Sequence, residues 1–408
     1  MRRKLGASFT KLLISSGSSN LADGLVRTSV PLLAAALTRD PLVVSLVSAS
    51  AFLPWLLFAL PAGAFVDHID RRTALITAGG LRTLLVGGLA LAVLADAMNI
   101  WLLCVLVFAL GAIETVYESA ARAMLPALVP PNDLDTGNGR LGAVEMAGES
   151  FIGPPVAGVL FALALAAPFL LGVGGYALAA VIITGLPRAH DTDHAGAADP
   201  LLKRIVEGLR WLRKDRTILA LTICGGLLAL TSSGVGAVFV LFALEILDLS
   251  ATGFGVLLAV AAIGGVAGSL LAARTVERWG RRHALLGSLA LGGSAFAALG
   301  LVSEPVAAAV LYVLASATVA IWNTVTMSLR QTLIPAELFG RVLGAYRVVV
   351  YGAVAAGAAA GGLLAKTATL RAPFLVAALG HLIVLVYATR SLRPEGVGQG
   401  GTRETTRS

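Results

Sequence analysis

Long apolar runs follow one another along almost the whole chain, and most charged residues sit between them. A transmembrane helix needs ~20 mainly apolar residues. Twelve such segments can be drawn, roughly 9–37, 43–66, 73–95, 99–122, 139–165, 168–187, 216–247, 252–273, 283–302, 305–329, 342–365 and 371–391. The runs are unbroken, which predicts helices; the strands of a membrane barrel would alternate over ~10 residues. Composition points the same way. The chain is 57% hydrophobic and 13% charged, with a mean hydropathy of +0.86, whereas globular domains average ~25% charged residues. So little charge cannot cover a water-facing surface, so the bilayer is the main solvent. The expected fold class is an all-α membrane protein of twelve transmembrane helices.

The net charge of +8 could suggest nucleic acid, but its distribution does not. All but six of the 31 Lys and Arg fall in alternate connections or at the termini. Arg39, Lys366 and Arg371 lie on the other side, and Arg27, Arg82 and Arg347 lie within predicted helices. That is the positive-inside pattern, and it places both termini in the cytoplasm. The start "MRRKLGASFTKLL" is basic, but "SSGSSN" interrupts the apolar run and no cleavage site is evident. It reads as the beginning of the first helix rather than a removed signal. Cys104 and Cys224 both fall inside predicted helices and read as small core residues, with neither a disulfide nor a metal site implied.

Two charged stretches interrupt the apolar pattern in corresponding places. "GAFVDHIDRR", residues 63–72, follows the second run, and "RTVERWGRR", residues 274–282, follows the eighth. Other pairs repeat at nearly the same offset. Pro131-Asn132-Asp133-Leu134 matches Pro335-Ala336-Glu337-Leu338, and Leu141-Gly142-Ala143 matches Leu343-Gly344-Ala345. The chain therefore reads as a duplicated six-helix unit, with halves at 1–187 and 216–393. The joint between them is 188–215, and the Gly- and Thr-rich tail from 394 to 408 is expected to be disordered. Within the joint, "LLKRIVEGLRWLRK" has apolar residues at helical spacing and a basic opposite face. It is expected to lie along the cytoplasmic membrane surface. His190, Asp191, Asp193 and His194 could be weighed as metal ligands, but nothing flanking them adds rigidity or further ligands, so the segment reads as a solvated acidic loop.

Two parallel six-helix halves resemble the major facilitator superfamily. The resemblance reaches residues. Family members carry a loop between helices 2 and 3 of the form Gly-x-x-x-Asp-basic-x-Gly-Arg-basic, and Gly63, Asp67, Arg71 and Arg72 match it. His68 replaces the basic residue and Asp70 the glycine. The loop between helices 8 and 9 keeps Gly280, Arg281 and Arg282, with Glu277 in the Asp place. The resemblance covers about residues 5–392 and implies a cytoplasmic gate. Asp67 would face the N-terminus of helix 11, expected to begin just after "IPAELFGR". Arg71 and Arg72 would pair with acids at the end of helix 4, Glu118 being nearest. The alternative is that these arginines only fix topology.

Helix 5 contains "GESFIGPPVAG", residues 148–158. It is similar to the helix-5 motif of the antiporter branch, Gly-x-x-x-Gly-Pro-x-x-x-Gly in outline. Gly153, Pro154 and Gly158 match, and Glu149 takes the first glycine position. Pro154 should bend the helix and the glycines allow close packing; an ordinary proline kink is the alternative. The stretch from Leu125 to Pro155 is similar to a branch that holds macrolide exporters, the enterobactin exporter and a lysophospholipid flippase. The resemblance thus implies a proton-coupled exporter of small, partly apolar molecules such as drugs or secondary metabolites. A siderophore exporter or a lysophospholipid flippase of the same fold is the alternative.

Ionisable residues at membrane depth mark function by default. Helix 1 offers Asn20, Asp23 and Arg27, with Asp23 near mid-membrane and one turn from Arg27. Its counterpart in helix 7, "CGGLLALTSSGVG", has no charge, which favours a functional Asp23 over a structural Asp23–Arg27 pair. Helix 4 carries Glu114, Glu118 and Arg122, with Glu114 about 6 Å deeper than Glu118. Helix 5 carries Glu145 and Glu149, and Glu145 aligns by the repeat with Arg347. A carboxylate in a partly dry cavity can bind and release a proton near neutral pH. Asp23 and Glu145 lead as carriers, with Glu114 next.

No Gly-x-x-x-x-Gly-Lys-Ser/Thr nucleotide loop occurs. Neither an enzyme nor a resident cofactor or metal is expected. A non-transporting receptor or scaffold would need a soluble domain or docking surface, and only the joint and tail are on offer. The expected partners are a small-molecule substrate, protons and the lipid bilayer of a bacterial cell membrane, with the chain acting as a monomer.

Overall fold

The computed structural model describes residues 6–67, 69–187 and 201–392. Side chains are described for these residues except at 59–60, 62–67, 131, 201–206, 209 and 336. His68, the candidate metal residues at 190–194 and the tail from 394 lie outside this set.

Every regular element among the described residues is helical. The order is α1 (Ala7–Leu37), α2 (Pro41–Asp67), α3 (Arg71–Leu94), α4 (Ile100–Leu128), α5 (Leu134–Met146), α6 (Gly153–Leu163) and α7 (Ala167–Thr184). Then come α8 (Leu201–Lys214), α9 (Arg216–Leu241), α10 (Ala251–Leu301), α11 (Pro305–Leu333), α12 (Ala336–Thr367) and α13 (Ala372–Ser391). Ten helices among the described residues are long and apolar enough to cross a membrane, α5 and α6 counting as one. Although it has 31 residues, α1 is not in that set; its serine run, Asp23 and Arg27 dilute its apolar character.

Local chemistry sets several boundaries. The Asp70 carboxylate accepts from the Thr73 amide at 2.8 Å and caps α3. That accounts for an acid where the family loop has glycine. Asn99 caps α4, Asp215 caps α9 and Glu304 caps α11 in the same way. The Glu304 carboxyl is held below the usual carboxylate range by the Ala307 and Val306 amides that donate to it.

Three boundaries differ from the sequence reading. The eighth and ninth runs and the loop between them form one 51-residue element, interrupted only by Gly280 at φ 78°, ψ 157°. A glycine adopts that conformation without the Cβ penalty other residues meet. Helix α12 starts at Ala336, so "AELFGR" is helical and does not precede the helix. The fifth run is not one continuous α-helix. A π-helical segment, Ala147–Ile152, separates α5 from α6. Pro154 and Pro155 follow it in the first turn of α6 and have no N–H to offer the carbonyls of Ser150 and Phe151.

Two compact units emerge. One comprises Met1–Ala198 with Asp248–Ala259, the other Asp199–Leu247 with Val260–Ser408. In the first, Phe9, Leu75, Met124 and Ile183 anchor a core cluster. In the second, Leu221, Cys224, Leu285, Trp322 and Leu329 do so. Leu84, Leu163 and Leu270 are exposed, as lipid-facing residues would be. Cys104 and Cys224 are both free.

Close backbone approach binds α1 to the fifth segment. A Cβ at Gly24 would lie 2.7 Å from the Glu149 carbonyl oxygen, and one at Gly153 would lie 2.7 Å from Gly24 Cα. A Cβ at Gly158 would lie 2.5 Å from the Ala251 carbonyl oxygen at the start of α10. The amphipathic α8 packs against the second unit. Glu207 pairs with Arg341 of α12 at 2.7 Å, Leu212 is buried in the core, and a Cβ at Gly208 would lie 2.3 Å from the Arg341 carbonyl oxygen. The expectation of a helix simply lying on the membrane surface left out this docking.

Candidate functional site

The first unit encloses a cavity of about 460 Å³, within the ~300–1,000 Å³ range of small-molecule sites. It is lined by most of the ionisable residues singled out in the sequence: Asp23, Glu114, Glu118, Glu145 and Glu149, with Asn20 beside them. Arg82 and Arg122 complete the charged lining. Two charge networks organise it.

The deeper network holds α1 to α3 and α7. Arg82 Nη2 forms an ion pair with Asp23 Oδ1, and the Tyr176 hydroxyl donates to the same oxygen at 2.7 Å. Arg82 Nη1 donates to Ser19 Oγ at 3.2 Å, and the guanidinium carbon lies 4.2 Å from the Tyr176 ring centre and 5.0 Å from that of Tyr117. Asp23, Arg82 and Tyr176 are all buried. A buried ion pair is tolerated when hydrogen bonds support it, and here Ser19 of α1 and Tyr176 of α7 supply them.

The second network is a bridge. Arg27 donates through Nη2 to Glu114 Oε1 and through Nη1 to Glu149 Oε1. Half of the Arg27 side chain is exposed, at 49%, while those of Glu114 and Glu149 are 17% and 25% exposed. Glu149 belongs to the π-helical segment, a feature that recurs at functional sites. One guanidinium thus ties α1 to α4 and to the distorted turn of the fifth segment. The alternative of a structural Asp23–Arg27 pair is not what forms: each has its partners on other helices, and the one-turn spacing on α1 serves two separate networks.

Of the remaining cavity residues, Glu145 is exposed and Asn20 donates to Ser16 Oγ at 3.0 Å. Arg347 is exposed on α12 in the second unit. Sequence reasoning missed Tyr176 and gave Arg82 no partner. It also assigned Arg330 to a connection, whereas Arg330 is buried near the end of α11 with its guanidinium 3.7 Å from the Tyr346 ring centre.

The gate residues are placed in part. Gly63 and Asp67 lie in the last turns of α2, with the Asp67 side chain outside the described set. Arg71 donates to the Ala123 carbonyl at 3.0 Å and Arg72 to the Thr184 carbonyl. Glu118 instead pairs with Arg122 at 2.7 Å. In the second unit Arg282 donates to the carbonyls of Leu392 at 3.0 Å and Thr389 at 3.2 Å. The final arginine of each loop thus holds the C-terminal end of the last helix of its unit, where carbonyls lack partners and a cation is favoured. Glu277 is exposed and Arg281 half-buried. In helix 5, Gly153 and Gly158 make the close approaches described above, and Pro154 follows the π-helical segment.

Membrane-length helices and a small-molecule-sized, charge-lined cavity define a multi-pass membrane protein with an internal polar site. The chain belongs to the transmembrane secretion effector family of the major facilitator superfamily, whose profile matches residues 6–399. It is 28% identical over 387 residues to the multidrug efflux pump Tap of Mycolicibacterium fortuitum, covering 92% of this chain and 94% of that protein. It is 24% identical over 212 residues to macrolide efflux protein A of Streptococcus pyogenes, a match spanning about half of each chain, 51% and 52%. The fold is similar to that of a mutant of the nucleoside transporter NupG, with a TM-score of 0.80, 12% identity and coverage of 94% and 100%. It is also similar to a bacterial homologue of the iron transporter ferroportin, with a TM-score of 0.75, 20% identity and coverage of 95% and 99%.

Proposed function

We propose that this chain is a proton-coupled exporter of small, partly apolar molecules, working by alternating access as a monomer in a bacterial cell membrane. The Arg27 bridge carries the reading. With Glu114 and Glu149 both ionised, the three groups sum to one negative charge, held on two carboxylates that are only 17% and 25% exposed. One added proton neutralises the set and leaves Arg27 a single carboxylate to hold. Gain or loss of that proton therefore changes which element Arg27 grips, and so couples charge to the packing of α1 against α4 and the π-helical turn. The Asp23–Arg82 pair is already neutral and hydrogen-bonded, so it anchors the cavity. The proton moves from the Asp23 of the sequence reading to the Glu114–Glu149 set, with Glu145 facing the same cavity.

The span count follows from length. Fifty-one residues of α10 would extend about 76 Å, more than twice the ~30 Å hydrocarbon core, so α10 crosses twice around Gly280. With α1 added, the chain crosses twelve times in two six-helix halves, and the Lys and Arg distribution puts both termini in the cytoplasm. Gly63 and Asp67, with the loop arginines, form the cytoplasmic gate, and Glu277, Arg281 and Arg282 its counterpart. Names of relatives that are efflux pumps support the direction.

The test is a substrate panel in inverted membrane vesicles: a macrolide, a lipophilic cationic dye, a catecholate siderophore and a lysophospholipid, with dissipation of a preset pH gradient as readout. The macrolide or the dye should dissipate it. Transport indifferent to collapse of the gradient would overturn proton coupling.

A further inference from the structure

The cavity of the first unit has a charge imbalance that the Arg27 bridge does not account for. Asp23, Glu114, Glu118, Glu145 and Glu149 all line it. Four of these carboxylates have partners: Asp23 pairs with Arg82, Glu118 with Arg122, and Glu114 and Glu149 share Arg27. Among the described residues Glu145 has neither an ion pair nor a hydrogen bond. With every carboxylate ionised, the first two pairs are neutral, the Arg27 set carries one negative charge, and Glu145 carries a second.

The protein supplies no cation for Glu145. Arg27 of α1 is shared by two carboxylates already, Arg82 of α3 is held by Asp23, and Arg122 of α4 is held by Glu118 at 2.7 Å. Asn20 of α1 gives its amide to Ser16. Glu149, one turn along, adds a like charge. The Glu145 side chain is exposed, so water solvates it while the cavity is open. A ligand that fills the cavity strips that water. A neutral or anionic ligand then leaves a carboxylate desolvated and unpaired, which is costly. An organic cation replaces the lost water with an opposite charge.

The rest of the wall suits the body of such a molecule, since Leu12, Leu75, Leu125, Leu141 and Ile183 line it as well. The position of Glu145 also links the ligand's charge to the proton. Glu145 stands at the end of α5 and Glu149 in the π-helical segment that follows. Carboxylates one turn apart, at about 5–6 Å between Cβ atoms, repel each other. That repulsion favours a proton on the Glu114–Glu149 set. A cation on Glu145 cancels it, so the set gives up its proton more readily. Cation and proton thus sit on different carboxylates and still oppose each other.

We propose that Glu145 sets substrate selectivity by holding the charged centre of an organic monocation, apart from the carboxylates that hold the proton. Calling the bound cation cargo rests on the transport reading; the binding itself does not. The experiment is equilibrium binding of radiolabelled tetraphenylphosphonium to the full chain in lipid nanodiscs, with empty nanodiscs as background and neutral triphenylphosphine oxide as competitor. Wild type should bind the cation at least about tenfold more tightly than the oxide. Glu145→Gln keeps the side-chain shape and breaks no contact, and it should bring the two ligands within about twofold. Glu145→Asp keeps the charge and should keep the preference. So should Asp135→Asn, which removes an exposed carboxylate from the first turn of the same helix. Wild-type affinity for the cation should rise severalfold from mildly acidic to mildly alkaline pH, and Glu149→Gln should flatten that rise. An unchanged preference in Glu145→Gln, or wild-type binding of the oxide as tight as that of the cation, would overturn the proposal. Wild-type affinity independent of pH would overturn the link between the two carboxylates. A preference that depends on Glu145 while export proves indifferent to the pH gradient would sink proton coupling and leave this selectivity standing.

Discussion

Asp23 forms its ion pair with Arg82 on another helix, and not with Arg27 one turn along its own. Both partners are buried, with Tyr176 closing the arrangement. Asp23→Asn leaves Arg82 buried without its carboxylate and should cost about 3–5 kcal/mol of stability. Adding Arg82→Gln removes the stranded charge and should recover most of that loss. Thermal unfolding in nanodiscs reads both. A single variant that unfolds at the wild-type temperature would show that the pair does not anchor α1.

The glycine seam makes a paired prediction. Gly24→Ala drives a methyl into the backbone around Glu149 and should destabilise by about 1–3 kcal/mol. Gly88→Ala on α3, where nothing lies within 4 Å of the new atom, should be neutral or stabilise by up to about 1 kcal/mol through helix propensity. Equal melting temperatures for the two variants would mean that the seam is not tight.

Two amide protons are missing just after the π-helical turn, at Pro154 and Pro155. The double variant Pro154→Ala/Pro155→Ala restores them and should let the segment regularise to α-helix, turning Glu149 away from Arg27. Initial export rates should fall by about tenfold or more, since small displacements of positioned groups are costly, while membrane insertion stays normal. Wild-type export by this variant would separate the turn from function.

Much of this architecture was legible because the bilayer enforces simple patterns. Apolar run length gave the membrane-length helices, and the Lys and Arg distribution supplies an orientation for labelling to test. Asp70 could not be read as a cap because an N-cap looks like any loop acid until the Thr73 amide is placed. The cavity acids were found one by one, since buried charge is rare and visible. Their partners were not: one-turn spacing suggested Asp23–Arg27, and only packing shows that the side chains diverge toward α3 and α4. Tyr176 gave no signal, because a lone aromatic in an apolar run reads as core. Arg330 was misassigned because a cation at a run's end looks like a boundary marker.

Orientation is open to direct labelling once Cys104 and Cys224 are replaced. A cysteine at Asn132 should be shielded from an impermeant thiol reagent in intact cells, and one at Ala97 should react. Ala97 is preferable to Asp248, whose backbone sits at φ 50°, a conformation unfavourable for cysteine. The reverse labelling pattern would invert the orientation.

The central claim is that the carboxylates on Arg27 carry the coupled proton. The most direct measurement is uphill substrate accumulation in inverted vesicles under an imposed pH gradient, compared between wild type, Glu114→Gln and Glu149→Gln, with substrate exchange at equal pH as the control. Each single variant fixes one carboxylate in its neutral form. The account predicts that accumulation is lost in at least Glu149→Gln while exchange continues, because the conformational cycle itself needs no net proton. Full gradient-driven accumulation by both variants would contradict it.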